Sequence, residues 1–221
     1  MIELDRKTRA WKDAIYEQFG RIGKALSSPR RLEIVDLLSQ GPKNVEMLVD
    51  ETGMSIANVS QHLQTLLQAR LVQFEKHGTY AVYRLSDEKI SALLLLVQEI
   101  SEELLAEIGL LRNEFLVNRD SFQPITLDEL RLRMDMGDVY LIDVRPKAEF
   151  EFGHIPGAIS VPVKELVEHL SSIDGNRPVV AYCRGRYCMF AVEAVEALRE
   201  HGFHAVRLDE GIREWKQQSL N

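Results

Sequence analysis

One cysteine stands where a buried strand should give way to a helix. The apolar run Val179–Tyr182 is typical of a strand in a protein core, and it ends at Cys183. A helical pattern of apolar residues begins at Phe190, so the N-terminus of that helix should follow the cysteine closely. Unpaired backbone N–H groups and the helix dipole favour an anion at such a position. We therefore expect Cys183 to ionise readily to the thiolate, the nucleophilic form of the side chain.

The loop after Cys183 adds two features that favour an anionic sulfur. Gly185 permits a tight bend, and Arg184 and Arg186 on either side of it are expected to add positive charge. A lone cysteine usually serves packing, but a strand end, a glycine and two arginines in one place favour a reactive thiol. Cys183 is therefore the candidate catalytic residue. The candidate active-site loop consists of Arg184, Gly185, Arg186, Tyr187 and Cys188.

These residues resemble the rhodanese domain, a sulfurtransferase module whose six-residue loop begins with the cysteine that carries a persulfide. The similarity extends upstream to Leu141–Arg145 and Glu149–Ala158, which follow the family's strand and its GHIPGA turn. Phosphatases related to this fold have a loop one residue longer, closed by an arginine that binds phosphate in bidentate fashion. Here the sixth residue after Cys183 is Met189, which argues against phosphate chemistry.

The resemblance leaves two roles open for Cys188. The family often has Ser or Thr at this end of the loop, so Cys188 is either a weak hydrogen-bonding substitute or a thiol that resolves or shares the sulfur on Cys183. A direct disulfide requires Cα atoms within about 7 Å and suitable side-chain directions. Other ionisable residues of the matched motifs are interpreted as scaffold, because thiolate attack on a sulfane sulfur needs no general base. These residues are Asp143, Arg145, Glu149 and His154.

Composition limits the protein class. A chain of 221 residues with 45% hydrophobic residues can form two ordinary cores. The net charge of −7 is uneven, because residues 1–90 carry 13 basic and 12 acidic side chains and the remainder carries 14 and 22. A nearly neutral first part is compatible with nucleic-acid contact. The start has no apolar signal core, the apolar run Ala92–Val97 is too short to span a bilayer, and two cysteines in one loop form no secreted framework. We therefore predict a cytoplasmic protein without membrane contact.

The first 90 residues follow the order helix, helix, helix, helix and hairpin. Apolar residues at three- and four-residue steps predict an amphipathic helix over Thr8–Leu26. Ser27–Pro29 supplies the start of a second helix, Asn44 caps a third and Ser55 caps a fourth. His77–Thr79 is the predicted hairpin turn. The predicted elements are helices over 8–26, 30–39, 45–51 and 56–70 and strands over 71–76 and 80–85.

This order is that of a winged helix-turn-helix, and the sequence resembles the arsenic-repressor family of bacterial regulators. The similarity covers residues 10–90 and rests on the runs LSSPRRLEIVDLL, MSIANVSQHLQTLLQARLV and HGTYAVYRL. It implies that the fourth helix lies in the major groove of double-stranded DNA. The residues expected to reach phosphates or base edges are Ser55, Asn58, Ser60, Gln61, His62, Gln64 and Thr65. Candidate phosphate contacts outside this helix are Arg30, Arg31, Lys76, His77 and Thr79.

A long helix is predicted from Asp87 to Val117. Its apolar residues form a nearly continuous seam that, paired with the first helix, should be a homodimer interface. A two-fold dimer places two reading helices on successive major grooves, which implies a pseudo-palindromic operator. Asn118–Ser121, continuing up to Pro124, is the predicted linker, and Thr126 should cap the first helix of a second domain. The seam consists of Ile90, Leu93, Val97, Ile100, Leu104, Ile108, Leu111 and Phe115.

The sequence departs from the metal-sensing relatives of the arsenic-repressor family. Those relatives often carry a cysteine pair in the third helix or histidine and acidic ligands in the last one. Here Val45–Ser55 contains no cysteine and Glu88–Phe115 contains no histidine, so the ligand types for a tight transition-metal site are missing. We predict no metal and no cofactor. In the second domain, Ser160 stands where rhodanese relatives usually have asparagine.

The sequence therefore predicts a two-domain protein of α+β and α/β class. Residues 1–118 should form a winged helix-turn-helix with a dimerisation helix, and residues 119–221 a rhodanese-like domain with a parallel sheet. The predicted function is a homodimeric transcriptional regulator that senses or transfers sulfane sulfur, or senses thiol oxidation, through Cys183. The sulfur donor would be thiosulfate or a persulfide. Two alternatives stay open: a sulfurtransferase enzyme with an accessory DNA-binding domain, and a sensor of arsenite or a similar soft species that uses Cys183 and Cys188 together.

Overall fold

The computed structural model of the chain describes residues 5–116 and 123–219. Two compact units are present, the first ending at Leu94 and the second beginning at Leu95, so the division falls inside one helix. The predicted domain boundary after Asn118 and the predicted linker Asn118–Ser121 lie outside the described residues. No helix in the described ranges is long and apolar enough to cross a membrane.

The first unit is a winged helix-turn-helix, as predicted. Its antiparallel sheet has the order β1-β3-β2. The side chain of Asn44 accepts a hydrogen bond from Met47 N (2.8 Å), and Gly53, at φ +66°, ends the third helix. Its elements are α1 (Arg6–Leu26), α2 (Pro29–Ser39), β1 (Lys43–Asn44), α3 (Val45–Thr52), α4 (Ile56–Gln68), β2 (Val72–His77), β3 (Tyr80–Leu85) and the start of α5 (Glu88–Leu104).

The short strand β1 was not predicted from the sequence. It pairs with β3 through Lys43 opposite Tyr83, and the buried ammonium of Lys43 bonds the carboxylate of Glu51 (3.0 Å). A buried charge of this kind is tolerated because it is paired. The apolar core packs around α2 and α4. Its fully buried members include Ile34, Val35, Leu48, Val59, Leu63 and Leu66.

The prediction of one uninterrupted helix from Asp87 to Val117 is wrong at Leu105, where α5 ends before α6 (Ala106–Leu116) begins. The hydroxyl of Ser101 donates to the carbonyl of Val97 (2.6 Å), a type of bond that bends helices. Ile108 N then bonds the carbonyl of Leu105 (3.0 Å) at the tighter three-residue spacing. The side chain of Phe115 lies outside the described side chains.

The second unit contains a parallel four-stranded sheet of order β5-β4-β6-β7 between helices. Along β6, Val179 and Ala181 pack into an apolar cluster with α10, whereas Val180 and Tyr182 pack into a second cluster with α7. This alternation buries both faces of the sheet. The elements are α7 (Leu127–Asp135), β4 (Tyr140–Asp143), α8 (Lys147–Phe152), β5 (Ile159–Ser160), α9 (Leu166–His169), β6 (Val179–Tyr182), α10 (Phe190–Glu200), β7 (Ala205–Arg207) and α11 (Ile212–Ser219).

Candidate active-site loop and nucleic-acid interface

The structure places Cys183 directly after β6, at the carboxyl end of the parallel sheet. Its side chain is 2% exposed. The loop turns through Gly185, whose φ of +139° suits glycine, and Cys188 N donates to the carbonyl of Gly185 (3.1 Å). The helix α10 follows from Phe190. The loop is therefore a short connection from a buried strand to a helix N-terminus.

The two cysteines meet across this loop. Cys183 and Cys188 form a disulfide, and their Cα atoms are 6.4 Å apart. That separation lies in the range that allows a direct bond. The loop therefore needs no inserted sulfur atom to join its two thiols.

The loop arginines are matched by carboxylates, contrary to the expectation that they add net positive charge. Arg184 donates to both carboxylate oxygens of Glu149, at 3.0 and 2.5 Å. Its guanidinium also lies over the ring of Phe190, 5.3 Å from the centroid. This bidentate pair joins the loop to α8, and the side chain of Glu149 is almost fully buried.

Arg186 lies among three carboxylates. It donates to Glu102 on α5 (2.7 Å) and lies 3.4 Å from Asp209 and 3.7 Å from Glu210. The hydroxyl of Tyr187 also donates to Glu102. Two of the three polar side chains between the cysteines, Arg186 and Tyr187, are therefore held by one carboxylate of α5.

The carboxylates shift the ionisation of the loop. Burial would lower the pKa of Arg186, but Glu102 and Asp209 together hold that pKa above its usual value. Burial and then the hydrogen bond to Glu102 raise the pKa of Tyr187. Burial raises the pKa of Glu210 against the opposing charge of Arg186. Arg186 and Tyr187 therefore stay protonated, and the loop is electrically balanced.

Gly211 and Glu214, which follow β7, complete the site. Neither residue was predicted from the sequence. A Cβ atom on Gly211 would lie 2.7 Å from both the carbonyl oxygen of Cys183 and the carbonyl carbon of Arg184. Only glycine allows this approach of backbone to backbone. Gly211 N donates to the carboxylate of Glu214 (2.9 Å). The close approach has no local sequence signature beyond the glycine itself.

The motif residues interpreted as scaffold lie in a buried network. Arg145 pairs with Asp143 (2.6 Å) and donates to the carbonyl of Gly153 (2.7 Å), and both charged side chains are fully buried. The hydroxyl of Tyr182 accepts a hydrogen bond from Ile155 N (3.0 Å), and burial raises its pKa. This network ties the GHIPGA turn to β4 and β6. Nearby, the imidazole of His154 stacks on Phe150 with ring centroids 3.9 Å apart.

The polar face of α4 is exposed, and it is capped by Ser55, whose hydroxyl accepts a hydrogen bond from Asn58 N (3.3 Å). Within the described residues, the side chains of Asn58, Gln61 and Gln64 make no hydrogen bond. Thr65 instead donates to the carbonyl of Gln61 (3.2 Å). Three amides on one helix are thus available to an external partner. The predicted contacts that are only partly exposed are Ser60, His62 and Thr65.

The predicted phosphate contacts outside α4 differ in their surroundings. Lys76, His77 and Thr79 are exposed on the β2–β3 hairpin. Arg30 is exposed and pairs with Glu33 (2.8 Å). The guanidinium of Arg31 instead donates to the last-turn carbonyls of α1, including Lys24 O (2.8 Å). Arg31 therefore caps a helix end in this structure.

Comparisons with known proteins agree with both units. Residues 126–218 match the rhodanese-like domain family, and residues 28–73 match the arsR family of bacterial regulatory proteins. The HTH-type transcriptional regulator Rv0324 of Mycobacterium tuberculosis is 42% identical over 95% of this chain and 92% of its own length. The chain belongs to this family of regulators. It is an arsR-type regulator with a C-terminal rhodanese-like domain, which confirms the predicted fold class and the main functional prediction.

Two solved structures are similar to single parts of the regulator. One is the homodimeric winged helix-turn-helix DNA-binding domain of Mb0332 from Mycobacterium bovis, 39% identical over 48% of this chain and 93% of that chain, with a TM-score of 0.41. The other is the human single-domain sulfurtransferase TSTD1, 27% identical over 43% of this chain and 96% of that chain, with a TM-score of 0.38.

The regulator also presents apolar surface on three helices. Leu104 and Leu111, on α5 and α6, are 75% and 65% exposed, and Val97 is 36% exposed. On α1, Trp11 and Phe19 are 62% and 65% exposed. Exposed apolar side chains of this size mark each helix that carries them as a candidate interaction surface. Across the described residues, no group of histidine, cysteine and acidic side chains is arranged to hold a metal ion.

Proposed function

We propose that this regulator binds double-stranded DNA as a homodimer in the bacterial cytoplasm, and that sulfur transfer to Cys183 changes its affinity for DNA. One observation carries the proposal. The two cysteines flank Arg186 and Tyr187, and both of these side chains bind Glu102 of α5. A chemical change at either cysteine therefore acts on residues that hold the predicted dimerisation helix.

The chemistry needs only the two thiols and a sulfane-sulfur donor. The Cys183 thiolate attacks the outer sulfur of thiosulfate or of a persulfide, the S–S bond of the donor breaks, and sulfite or a thiolate leaves. Cys183 then carries a persulfide. The Cys188 thiolate attacks Sγ of Cys183, hydrosulfide leaves, and the disulfide forms. The two cysteines are oxidised and the transferred sulfur is reduced to sulfide, so no further oxidant is required.

Transmission follows from where Glu102 lies. α5 is a continuous helix from Glu88 to Leu104, and it begins three residues after the β2–β3 hairpin ends at Leu85. The bonds from Arg186 and Tyr187 to Glu102 are present with the disulfide closed. Reduction releases Cys188 from Cys183 and repositions the chain between them, so those bonds loosen or shift in the thiol form. A helix conducts such a displacement along its length because it moves as a rigid rod more readily than it bends.

DNA contact is assigned to α4. The exposed amides of Asn58, Gln61 and Gln64 suit the edge of adenine in the major groove. Ile56, at the start of the helix, is 61% exposed and suits the methyl group of thymine. Lys76, on the wing, would contact phosphate. Ile56 is not among the DNA contacts predicted from the sequence, because an apolar residue at the start of a helix is usually expected to pack in the core.

The homodimer is supported by the exposed apolar seam on α5 and α6 together with the aromatic residues of α1. We assign this surface to a second copy of the chain, since a winged helix that reads two half-sites needs a two-fold partner. The seam residues Leu93, Val97, Ile100 and Leu104 remain exposed in the single chain.

The test compares two cysteine variants of the reduced full-length protein. Each is exposed to a persulfide donor, and intact mass and operator affinity are measured on the same sample. Cys183→Ser should gain no sulfur and show no change in affinity. Cys188→Ser should retain a persulfide on Cys183, because no thiol displaces the sulfur, and should lose the lasting DNA response.

Measuring the transfer of sulfur to an external thiol distinguishes a regulator from a sulfurtransferase enzyme. An enzyme needs its persulfide accessible to an acceptor, so Cys188→Ser would leave turnover intact or raise it. If Cys188→Ser changes neither turnover nor the DNA response, Cys188 is scaffold and the proposed switch is wrong.

A further inference from the structure

We infer that the Cys183 loop takes its sulfur from a persulfide of low charge in preference to thiosulfate. This inference rests on the proposed function, since it names the donor class for the same thiol. Thiosulfate is a dianion, whereas an alkyl persulfide, R–S–SH, is neutral or carries one negative charge at the sulfur. The charges around the loop discriminate between these two kinds of donor.

Carboxylates balance the guanidinium groups around the loop. Arg184 is engaged at both ends of its fork by Glu149, and Arg186 is shared by three acidic residues. The carboxylate of Glu214 lies 3.3 Å from where a Cβ atom of Gly185 would be. The guanidinium groups near the loop are Arg112, Arg184, Arg186, Arg207 and Arg213, and the carboxylates are Glu102, Glu149, Asp209, Glu210 and Glu214.

Asp209 is an example of a carboxylate that is already paired with several arginines. It accepts hydrogen bonds from Arg112 (2.7 Å) and Arg207 (3.0 Å), and it lies 3.4 Å from Arg186. A bound dianion would have to compete with carboxylates already held by the same arginines. Each displaced carboxylate would lose a charge-assisted hydrogen bond in a partly buried place.

The positive potential that remains comes from the N-terminus of α10. A helix end supplies the equivalent of roughly half an elementary charge, which suits a single thiolate. Adding a dianion beside the Cys183 thiolate brings two further negative charges close to the first, and like charges about 4 Å apart repel each other strongly near a protein surface. A neutral donor avoids that repulsion.

The transfer step from a persulfide balances without another reactant. The Cys183 thiolate bonds to the outer sulfur of R–S–SH, the S–S bond of the donor breaks, and R–S⁻ leaves with the bonding electron pair. The proton stays on the transferred sulfur. One negative charge is present before and after the step, so the loop needs no additional cation to stabilise the product.

The experiment compares cysteine persulfide and thiosulfate as donors to reduced Cys188→Ser, in which the product stays on Cys183. The rate of sulfur gain is followed by intact mass. Cysteine persulfide should react at least about tenfold faster than thiosulfate at equal concentration, and its rate should depend on salt less than the thiosulfate rate, because a donor of low charge has little electrostatic interaction with the Cys183 thiolate for salt to screen.

A charge variant sharpens the result. Adding Glu102→Gln to Cys188→Ser leaves Arg186 with Asp209 and Glu210 but adds one net positive charge, so the thiosulfate rate should rise severalfold. Glu103→Gln is the matched control, because Glu103 is the exposed neighbour on α5 and should leave both rates unchanged.

Each outcome decides the question. Thiosulfate reacting as fast as cysteine persulfide, or a thiosulfate rate indifferent to Glu102→Gln, would overturn the inference and leave the proposed function standing. If neither donor modifies Cys183 while iodoacetamide alkylates it, the thiol is reactive but is not a sulfur acceptor. The proposed function then fails, and the inference fails with it.

Discussion

The face of α4 and the Cys183 loop differ in whether their polar side chains are bonded within the protein. On α4, Asn58, Gln61 and Gln64 are exposed and make no side-chain hydrogen bond within the described residues. In the loop, Arg184 and Arg186 are held by carboxylates from distant parts of the chain. A surface that meets an external partner leaves its donors and acceptors available. A site that reports a chemical event binds them internally, so that the event must change a contact that already exists.

The largest loss of operator affinity is expected from a change in the exposed apolar seam, which, like the face of α4, is available to an external partner. Val97→Asp should split the dimer, because it would bury an unpaired charge between two apolar surfaces. Operator affinity should fall by about a hundredfold or more, since each half-site binds weakly alone. Sedimentation and a DNA titration on the same preparation measure both quantities.

Ala92→Asp is the control for this experiment. It introduces the same charge at an exposed position of α5 on the side of Glu99, away from the seam. A monomeric Val97→Asp protein with undiminished operator affinity would show that the seam is not needed for DNA recognition.

A smaller effect is expected when one available amide of α4 is removed. Gln61→Ala should lose about 10- to 100-fold in operator affinity, because one bidentate amide–adenine contact discriminates by about 1–3 kcal/mol. Affinity for random DNA should hardly change, since that binding depends on phosphates. Gln68→Ala, at the other end of α4, should retain operator affinity. Equal losses on operator and random DNA would assign Gln61 to the phosphate backbone.

The smallest effect is expected at the internally paired residues around the Cys183 loop, and it is a change in thermal stability. The raised pKa of Glu210 means that its carboxylate is less favourable in the folded protein than in the unfolded chain. This group therefore contributes stability below its unfolded pKa and loses that contribution as pH rises through the folded value. Glu210→Gln should raise Tm by about 1–2 °C at pH 7, and the difference should shrink toward pH 5.

Glu200→Gln, at the exposed end of α10, is the control for thermal melts over this pH range. A Glu210→Gln protein that melts below the wild type at pH 7 would show that the bond from Arg186 to Glu210 outweighs the cost of burying the carboxylate.

Local patterns predicted most of the fold. Caps at Asn44 and Ser55, a glycine at Gly53 and the apolar periodicity located the helices of the first unit, and the run ending at Cys183 located β6. These features act over a few residues, so the sequence shows them directly. The break at Leu105 was not predicted, because it falls within an otherwise regular apolar pattern. The hydroxyl of Ser101 bonds the carbonyl of Val97 in the turn before it.

The electrostatics of the loop could not be predicted from the sequence. Glu102 and Arg186 are 84 residues apart along the chain, and nothing in the charge pattern of α5 distinguishes Glu102 from Glu103. Counting arginines near Cys183 therefore predicted a cationic loop where the structure has a balanced one. The prediction of Cys183 itself needed only the strand, the turn and the helix that follow one another in the sequence.

The central claim is that Glu102 connects the Cys183 loop to α5, and Glu102→Gln tests it most directly. After treatment with cysteine persulfide, intact mass should show the same disulfide in Glu102→Gln as in the wild type, and operator affinity before treatment should agree within about twofold. The change in affinity on treatment should be mostly lost in Glu102→Gln and retained in Glu103→Gln. A Glu102→Gln protein that forms the disulfide and still responds as fully as the wild type would contradict the account.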